Sequence, residues 1–328
     1  MTRTVVASAP GKIVLSGEYA VLDGAPAIVM AVDRRARAAL ADIDGEISQV
    51  RAPGHTNEIG QFDSANGDFR WLNGQAVFGV VDAVLRAADA LQSVAQLIDL
   101  DTSDFVDPER HQKIGIGSSA ALTVALCAAV RGSTDMAAIM AVAQRAHANL
   151  QGGAGSGADI ACSLSGGLID YRMEGASVTA LDWPEGLSYR VIWTGVAAST
   201  RDKLRKLNAA TSLPSRVRLA GVSEAMADAW QSGDADRIIE EYRSYNEHLR
   251  QFSVDHHLGI FDAGHEEISR AAGDVDLTYK PCGAGGGDVG MVFGTDDAVL
   301  DSFVEGLATR HVLLDCRLSH VGAMIESS

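Results

Sequence analysis

Lys113-Ile114-Gly115-Ile116-Gly117-Ser118-Ser119-Ala120-Ala121 is the stretch on which the fold turns. Two glycines leave the backbone bare, two serines supply hydroxyls, and an apolar helix-forming run from Leu122 to Val130 follows at once. A glycine-rich loop opening a helix gathers unpaired N–H groups at the positive end of a dipole, an arrangement suited to a phosphate. The stretch is not a P-loop, because no lysine follows the second glycine, and it lacks the third glycine of a dinucleotide fingerprint.

Two further glycine-rich segments stand far from it. Pro10-Gly11-Lys12-Ile13-Val14-Leu15-Ser16-Gly17-Glu18-Tyr19 lies near the start, and Cys282-Gly283-Ala284-Gly285-Gly286-Gly287-Asp288 lies far downstream. Only five lysines occur among the 27 basic residues, and Lys12, Lys113 and Lys280 each fall in or beside one of the three segments. Lysine is a compact point charge, useful where arginine's planar fork would not serve. Lys203 and Lys206 share the densest cationic stretch of the chain, Arg201 to Lys206, just after Ser199 and Thr200. Three such segments point to a nucleotide-using phosphotransferase.

The rest of the composition narrows the class. At 328 residues the chain can hold two domains with buried cores. A net charge of −16 disfavours nucleic acid and anionic membranes as partners. No apolar run approaches a membrane span, and the short lead into Pro10 predicts no signal peptide, so a cytoplasmic location is expected. Cys127, Cys162, Cys282 and Cys316 lack metal-type spacing and are expected to be reduced thiols.

Periodicity predicts strands at Val5–Ser8 and Ile13–Leu15 around a Pro10-Gly11 turn, then at Ala27–Val32 and Arg35–Ala41 around a bend at Asp33-Arg34. A helix is predicted over Ala76–Leu91, with Val77, Val80, Val81, Val84 and Leu85 on its apolar face. Ser118 or Ser119 is expected to cap the helix to Val130, and Ser133 or Thr134 to start the next. Gly155–Asp159 reads as a polar loop into a helix, followed by a strand at Leu168–Arg172. A second half opens at Tyr189–Thr194, with long helices at Arg216–Gln231 and Ala235–Phe252 and strands near Tyr279, at Gly290–Phe293 and at Val312–Leu318. His147, His256 and His257 have no evident metal partners and read as surface or core histidines.

Together these residues resemble the GHMP kinases, the superfamily that contains galactokinase, homoserine kinase, mevalonate kinase and phosphomevalonate kinase. Pro10–Gly24, Gly115–Ala121 and Gly283–Asp288 are similar to its three motifs, in the right order, and Ser156-Gly157-Ala158-Asp159 is similar to its catalytic loop. Within the superfamily, Lys113, the Trp193–Thr200 loop and Asp288 look like the bacterial type of phosphomevalonate kinase. Mevalonate kinases carry a metal-binding glutamate eleven residues before the catalytic aspartate, and here that place is Ala148.

The resemblance implies an α+β fold in two lobes, a ribosomal S5 domain 2-like lobe over 1–187 and a ferredoxin-like lobe over 188–328. It implies ATP and Mg²⁺ as cofactors, a small-molecule acceptor, and a monomer or homodimer. Lys12 and Asp159 are the expected catalytic residues. Lys113, Gly115, Ile116, Gly117, Ser118, Ser119 and Ala120 are expected to bind ATP, with Ser119 on the metal. Glu18, Tyr19, Ser156, Gly157, Ser199, Thr200, Lys203, Gly283, Ala284 and Gly285 are expected to hold the acceptor. The expected reaction is phosphorylation of 5-phosphomevalonate to 5-diphosphomevalonate in the mevalonate route to isoprenoids. Mevalonate kinase, another small-molecule kinase of the superfamily and a non-catalytic sensor on the same fold are the alternatives.

Overall fold

The structure is a computed structural model that describes residues 4–64, 68–91, 94–153, 155–208, 214–308 and 310–326. Two long antiparallel strands, β1 (Thr4–Ser16) and β2 (Ala27–Asp42), form its backbone. Each is continuous where the sequence predicts two strands and a break. Pro10 pairs with Arg35 and Gly11 with Val32, so Asp33 and Arg34 are extra residues in a bulge rather than a bend. Proline has no N–H to give to the ladder, and the bulge takes up the mismatch. The bulged residues are not idle, because Asp33 exchanges hydrogen bonds with Arg317 through its N–H and its carboxylate.

Around this hairpin lie β3 (Ser48–Arg51), β4 (Gly60–Asp63), β5 (Arg70–Asn73), α1 (Gln75–Ala87) and β6 (Gln96–Asp101). The sequence reading has no counterpart for β6, whose alternation Gln-Leu-Ile-Asp-Leu-Asp carries too few β-formers to stand out. On α1 the buried face is Phe78, Val81, Val84 and Leu85, while Val77 is exposed. The predicted face holds at Val81, Val84 and Leu85, and Phe78, packed against Gly60, takes the place expected of Val77.

Next come α2 (Ser118–Arg131), α3 (Met136–Gln151), α4 (Ala158–Ser165), β7 (Leu168–Arg172) and β8 (Ser177–Leu181). Residues 120, 121 and 123–129 of α2 are all buried, and their alanines let the helix lie close on β1 and β2. Neither serine caps this helix. The cap is Gly117, and Ser118 is already in the first turn. Likewise α3 is capped by Asp135, whose carboxylate accepts from the Ala138 N–H, and not by Ser133 or Thr134.

The second lobe holds β9 (Ser188–Trp193), α5 (Thr200–Asn208), α6 (Pro214–Ser232), α7 (Ala235–Asp255), α8 (His265–Gly273), β10 (Thr278–Pro281), β11 (Val289–Gly294), α9 (Asp297–Leu307) and β12 (Val312–Leu314). Its four-stranded antiparallel sheet runs β10-β11-β9-β12. The last strand, β13 (Met324–Glu326), crosses back to pair with β1 at the edge of the nine-stranded first sheet. The two sheets thus change over in sequence between β8 and β9, except for this returning tail. The class is α+β in two lobes, as the sequence implies.

One core cluster spans both lobes: Leu15 and Ile28 of the first pack with Trp193, Trp230, Tyr242 and Phe293 of the second. All four cysteines are buried free thiols. Among the described residues no helix is long and apolar enough to cross a membrane.

Candidate active site

The three glycine-rich segments meet in the cleft between the lobes. Lys12 leaves β1 just past the bulge, its N–H donating to the Ile116 carbonyl at 2.9 Å. Its side chain then runs along Gly117, where a Cβ would stand 3.0 Å from Lys12 Cε. With φ at +88°, Gly117 also holds a backbone conformation that a side chain would strain. The Ile116–Gly117 turn, the open N-terminus of α2 and the lysine chain are thereby one unit.

On the far side of Lys12 lies a cavity of ≈ 140 Å³ lined by Lys12, Glu18, Tyr19, Ser156, Asp159, Thr200, Gly283 and Ala284. Eight of the predicted residues therefore converge on one space. Gln151 and the apolar Val14, Val21, Leu22 and Leu204 are also among the lining residues, and the sequence reading gives none of them a site role. Lys113 to Ala120 stand on the other side of Lys12, where Lys113, Gly115 and Ser119 are exposed. Lys12 thus divides a phosphate-type loop from a small, half-apolar pocket.

Asp159 sits in the first turn of α4, whose cap is Gly157. One carboxylate oxygen accepts from the Ile160 N–H at 3.0 Å, and the other faces the His147 ring at 3.8 Å. Lys12 and Asp159 both act electrostatically on the Cys162 thiol, one turn along α4, whose ionisation burial makes very unfavourable.

Four of the residues expected to hold the acceptor lie outside the cavity lining. Lys203 is half buried, and its ammonium donates to the carbonyls of Leu258 at 2.8 Å and Gly259 at 3.2 Å. Burial lowers its pKa. Ser199 accepts from the Asp202 N–H, Gly157 caps α4, and Gly285 packs against Ile260. Lys203 and Gly285 hold the third segment in place, for the Gly286 N–H donates to Ile260 at 2.7 Å beside them.

The segments are also tied to one another. Glu18 and Lys280 form an ion pair between the lobes, with the lysine wholly buried and the glutamate 3 % exposed. Tyr245 donates to the second Glu18 oxygen at 2.8 Å and accepts from the Gly17 N–H at 2.8 Å. Tyr19 donates to the Ala284 carbonyl at 2.7 Å. Asp288 lies directly on Gly115, where any Cβ would collide with its carboxylate. One Asp288 oxygen accepts from the Ala198 N–H at 3.1 Å. Burial raises the Asp288 pKa, while Lys12 and Lys203 pull it down.

His147, read from sequence as a surface or core histidine, lies in the core, and its place behind the candidate site is what sequence reasoning misses. It is 4 % exposed and stands behind Asp159, twelve residues away in sequence. Its position one turn before Gln151 on α3 is the available signal, but only the packing of α3 on α4 gives that face a target.

A phosphate-type loop, a lysine at its edge and a carboxylate across a small pocket define an ATP-dependent small-molecule phosphotransferase in two lobes. Residues 77–167 match the family of the GHMP kinases N terminal domain. A phosphomevalonate kinase of Streptomyces sp. (strain CL190) is 32% identical over 343 aligned residues, covering 88% of this chain and 89% of that one. A Lin0012 protein from Listeria innocua superposes with a TM-score of 0.82 at 21% identity, over 99% of this chain and 100% of that one. Streptococcus pneumoniae phosphomevalonate kinase, in complex with phosphomevalonate and AMPPNP, superposes with a TM-score of 0.77 at 17% identity, over 97% and 99%. These structural likenesses concern the fold. The chain belongs to the GHMP kinase family and is a kinase.

Proposed function

We propose that the chain transfers the terminal phosphoryl group of ATP to 5-phosphomevalonate, giving 5-diphosphomevalonate. The observation that carries this reading is the place of Lys12, between the α2 loop and the cavity that Asp159 lines. The Streptomyces relative, alike over 88% of the chain, supports the acceptor.

Phosphoryl transfer needs positioning and charge stabilisation more than covalent chemistry. The N–H groups of residues 115–120 hold the β- and γ-phosphates at the start of α2. Lys12 then meets the phosphoryl group in flight and offsets its charge. The acceptor occupies the cavity, with its hydrocarbon against Val14, Val21, Leu22 and Leu204 and its polar groups toward Ser156, Thr200 and the Gly283–Ala284 backbone. With the Lys203 ammonium given to Leu258 and Gly259, Thr200 at the start of α5 is the nearer anion holder.

Mg²⁺ fits the donors present chiefly through Ser119, whose residue is exposed on a helix with no side-chain cap bond. No group of three His, Cys, Asp or Glu side chains suited to a metal occurs among the described residues. Ser119 would hold the ion together with phosphate oxygens and water, and the bound ion neutralises phosphate charge.

A phosphate monoester has a second pKa of about 6, so near neutral pH it is mostly a dianion and needs no base. Asp159 accordingly orients Lys12 and the acceptor. Asp159→Asn is expected to lower kcat by about tenfold, well short of the loss from Lys12→Ala. An equal loss would instead favour an alcohol acceptor that needs proton removal. The direct test is ADP release with Mg²⁺-ATP and either mevalonate or 5-phosphomevalonate. Turnover with only the phosphorylated compound supports the proposal, and turnover with mevalonate alone refutes it.

A further inference from the structure

Behind Asp159, α3, α4 and β7 border a second cavity of ≈ 230 Å³, whose lining includes Gln144, His147, Gln151, Ser156 and Tyr171 beside the apolar Ala148, Ile160 and Met173. It shares Gln151 and Ser156 with the acceptor cavity. His147 projects into it from α3, and the groups around the ring are few. Asp159 comes from α4 and Tyr171 from β7, while the α3 neighbours Gln144 and Gln151 carry no charge.

The ring's proton can be placed. Gln151 Nε2 lies 3.3 Å from His147 Nε2, and an amide nitrogen can only donate. His147 Nε2 therefore accepts, and the neutral ring carries its proton on Nδ1. That nitrogen faces Asp159 Oδ2 at 3.8 Å. The separation is too long for a hydrogen bond, but catalytic contacts are often long without ligands and tighten when substrate binds. The other Asp159 oxygen is already held by the Ile160 N–H. Without His147, Oδ2 has no such partner on the α3 side, and Lys12 is the cation across the pocket.

We propose that His147 is a positioning residue for the transfer reaction: its Nδ1–H, set by Gln151, holds Asp159 Oδ2 toward α3, so that the carboxylate orients Lys12 from across the pocket without pairing with it. Lys12 then stays available to the phosphoryl group. The inference rests on the phosphotransfer reading of Lys12 and Asp159. It also explains why a buried imidazole stands where a leucine would pack at lower cost.

Two readouts test it. The first is independent of catalysis: NMR of the His147 ring nitrogens in the wild type and in Asp159→Asn. The neutral ring is expected to carry its proton on Nδ1, and the Nδ1 resonance to shift when Asp159 is replaced, because that nitrogen faces its carboxylate. A proton on Nε2, or an Nδ1 resonance that Asp159→Asn leaves unchanged, overturns the proposal. The second is kinetic. His147→Leu is expected to lower kcat by about fivefold to tenfold with KM values within about twofold, and His147→Asn, whose amide nitrogen stands near the Nδ1 position, to restore most of it. In an Asp159→Asn background His147→Leu should add no further loss. An equal loss in both backgrounds, or no rescue by asparagine, means a packing role and overturns the proposal. Absence of turnover by the wild type with 5-phosphomevalonate would defeat the functional reading, while the ring-nitrogen spectra still decide whether the two side chains are coupled.

Discussion

Two charged pairs stand on opposite sides of the same cleft, and they are built differently. At the back, Glu18 and Lys280 are sealed from solvent, Tyr245 donates to the second Glu18 oxygen, and Lys280 also donates to the Pro281 carbonyl. At the front, Lys12 and Asp159 line an open cavity, and Lys12 enters no ion pair among the described residues. The back pair joins the first motif to the third and so fixes where the lobes meet. The front pair keeps its charge unspent. A buried pair with its partners in place cannot serve a ligand without breaking first, whereas a partly buried lysine that lines a cavity without an ion pair costs little to redirect. Glu18, expected from sequence to touch the acceptor, lines the cavity but has both oxygens committed to the protein. We assign it to the joint between lobes.

This contrast can be broken from either side. The largest effect belongs to the front. Lys12→Ala is expected to lower kcat/KM by about 10³-fold or more while the unfolding free energy stays within about 0.5 kcal/mol. Steady-state ADP release and urea unfolding on the same preparation check both halves. The back should behave in the opposite sense. Lys280→Met leaves Glu18 buried without a counter-charge and should cost about 3–5 kcal/mol of stability, part of which returns when Glu18→Gln is added. Equal destabilisation of the single and double variants would show that the pair is not the joint.

A smaller effect follows from His265, buried beneath the third segment. Its Nε2–H donates to the Gly287 carbonyl at 2.9 Å and its Nδ1 accepts from Tyr279 at 2.7 Å, so the ring is neutral. Burial lowers its pKa to about 4. The unfolded chain therefore binds a proton between its ordinary pKa near 6.5 and pH 4 that the folded chain refuses, and stability falls as pH falls through that window. From pH 7 to pH 5 this residue alone removes about 2 kcal/mol. Asp170 and Asp288, whose pKa values burial raises, act in the opposite direction and trim the loss. Urea unfolding at the two pH values measures the sum, and a His265 ring that protonates near pH 6.5 by NMR contradicts the assignment. The smallest effect is a null one. Because Ser118 does not cap α2, Ser118→Ala should change stability by no more than about 0.5 kcal/mol, against about 1 kcal/mol for a true cap.

The same contrast explains what can be read from sequence. Glycine-rich segments and lone lysines declare themselves locally, because the backbone conformations and charges they need are spelled out within ten residues. Those segments carry the resemblance through which Lys12, Asp159, Tyr19, Ser156, Thr200, Gly283 and Ala284 become candidates, and these residues converge on one cavity. Features made by packing are hidden. The bulge at Pro10-Gly11 reads as a turn because only the register with β2 shows that the strand continues. The strand β13 has no pattern in three residues and exists only because β1 offers an edge. His147 and Lys280 become legible once helices and lobes meet, since each has its partner on a different element.

The most direct test is a crystal structure of the chain with 5-phosphomevalonate and a non-hydrolysable ATP analogue. The acceptor should lie in the cavity with its phosphate near Lys12, the nucleotide phosphates should rest on residues 115–120, and the Glu18–Lys280 pair should be untouched. An acceptor bound through Glu18, or one placed away from Lys12 and Asp159, would contradict the division of labour between the two pairs.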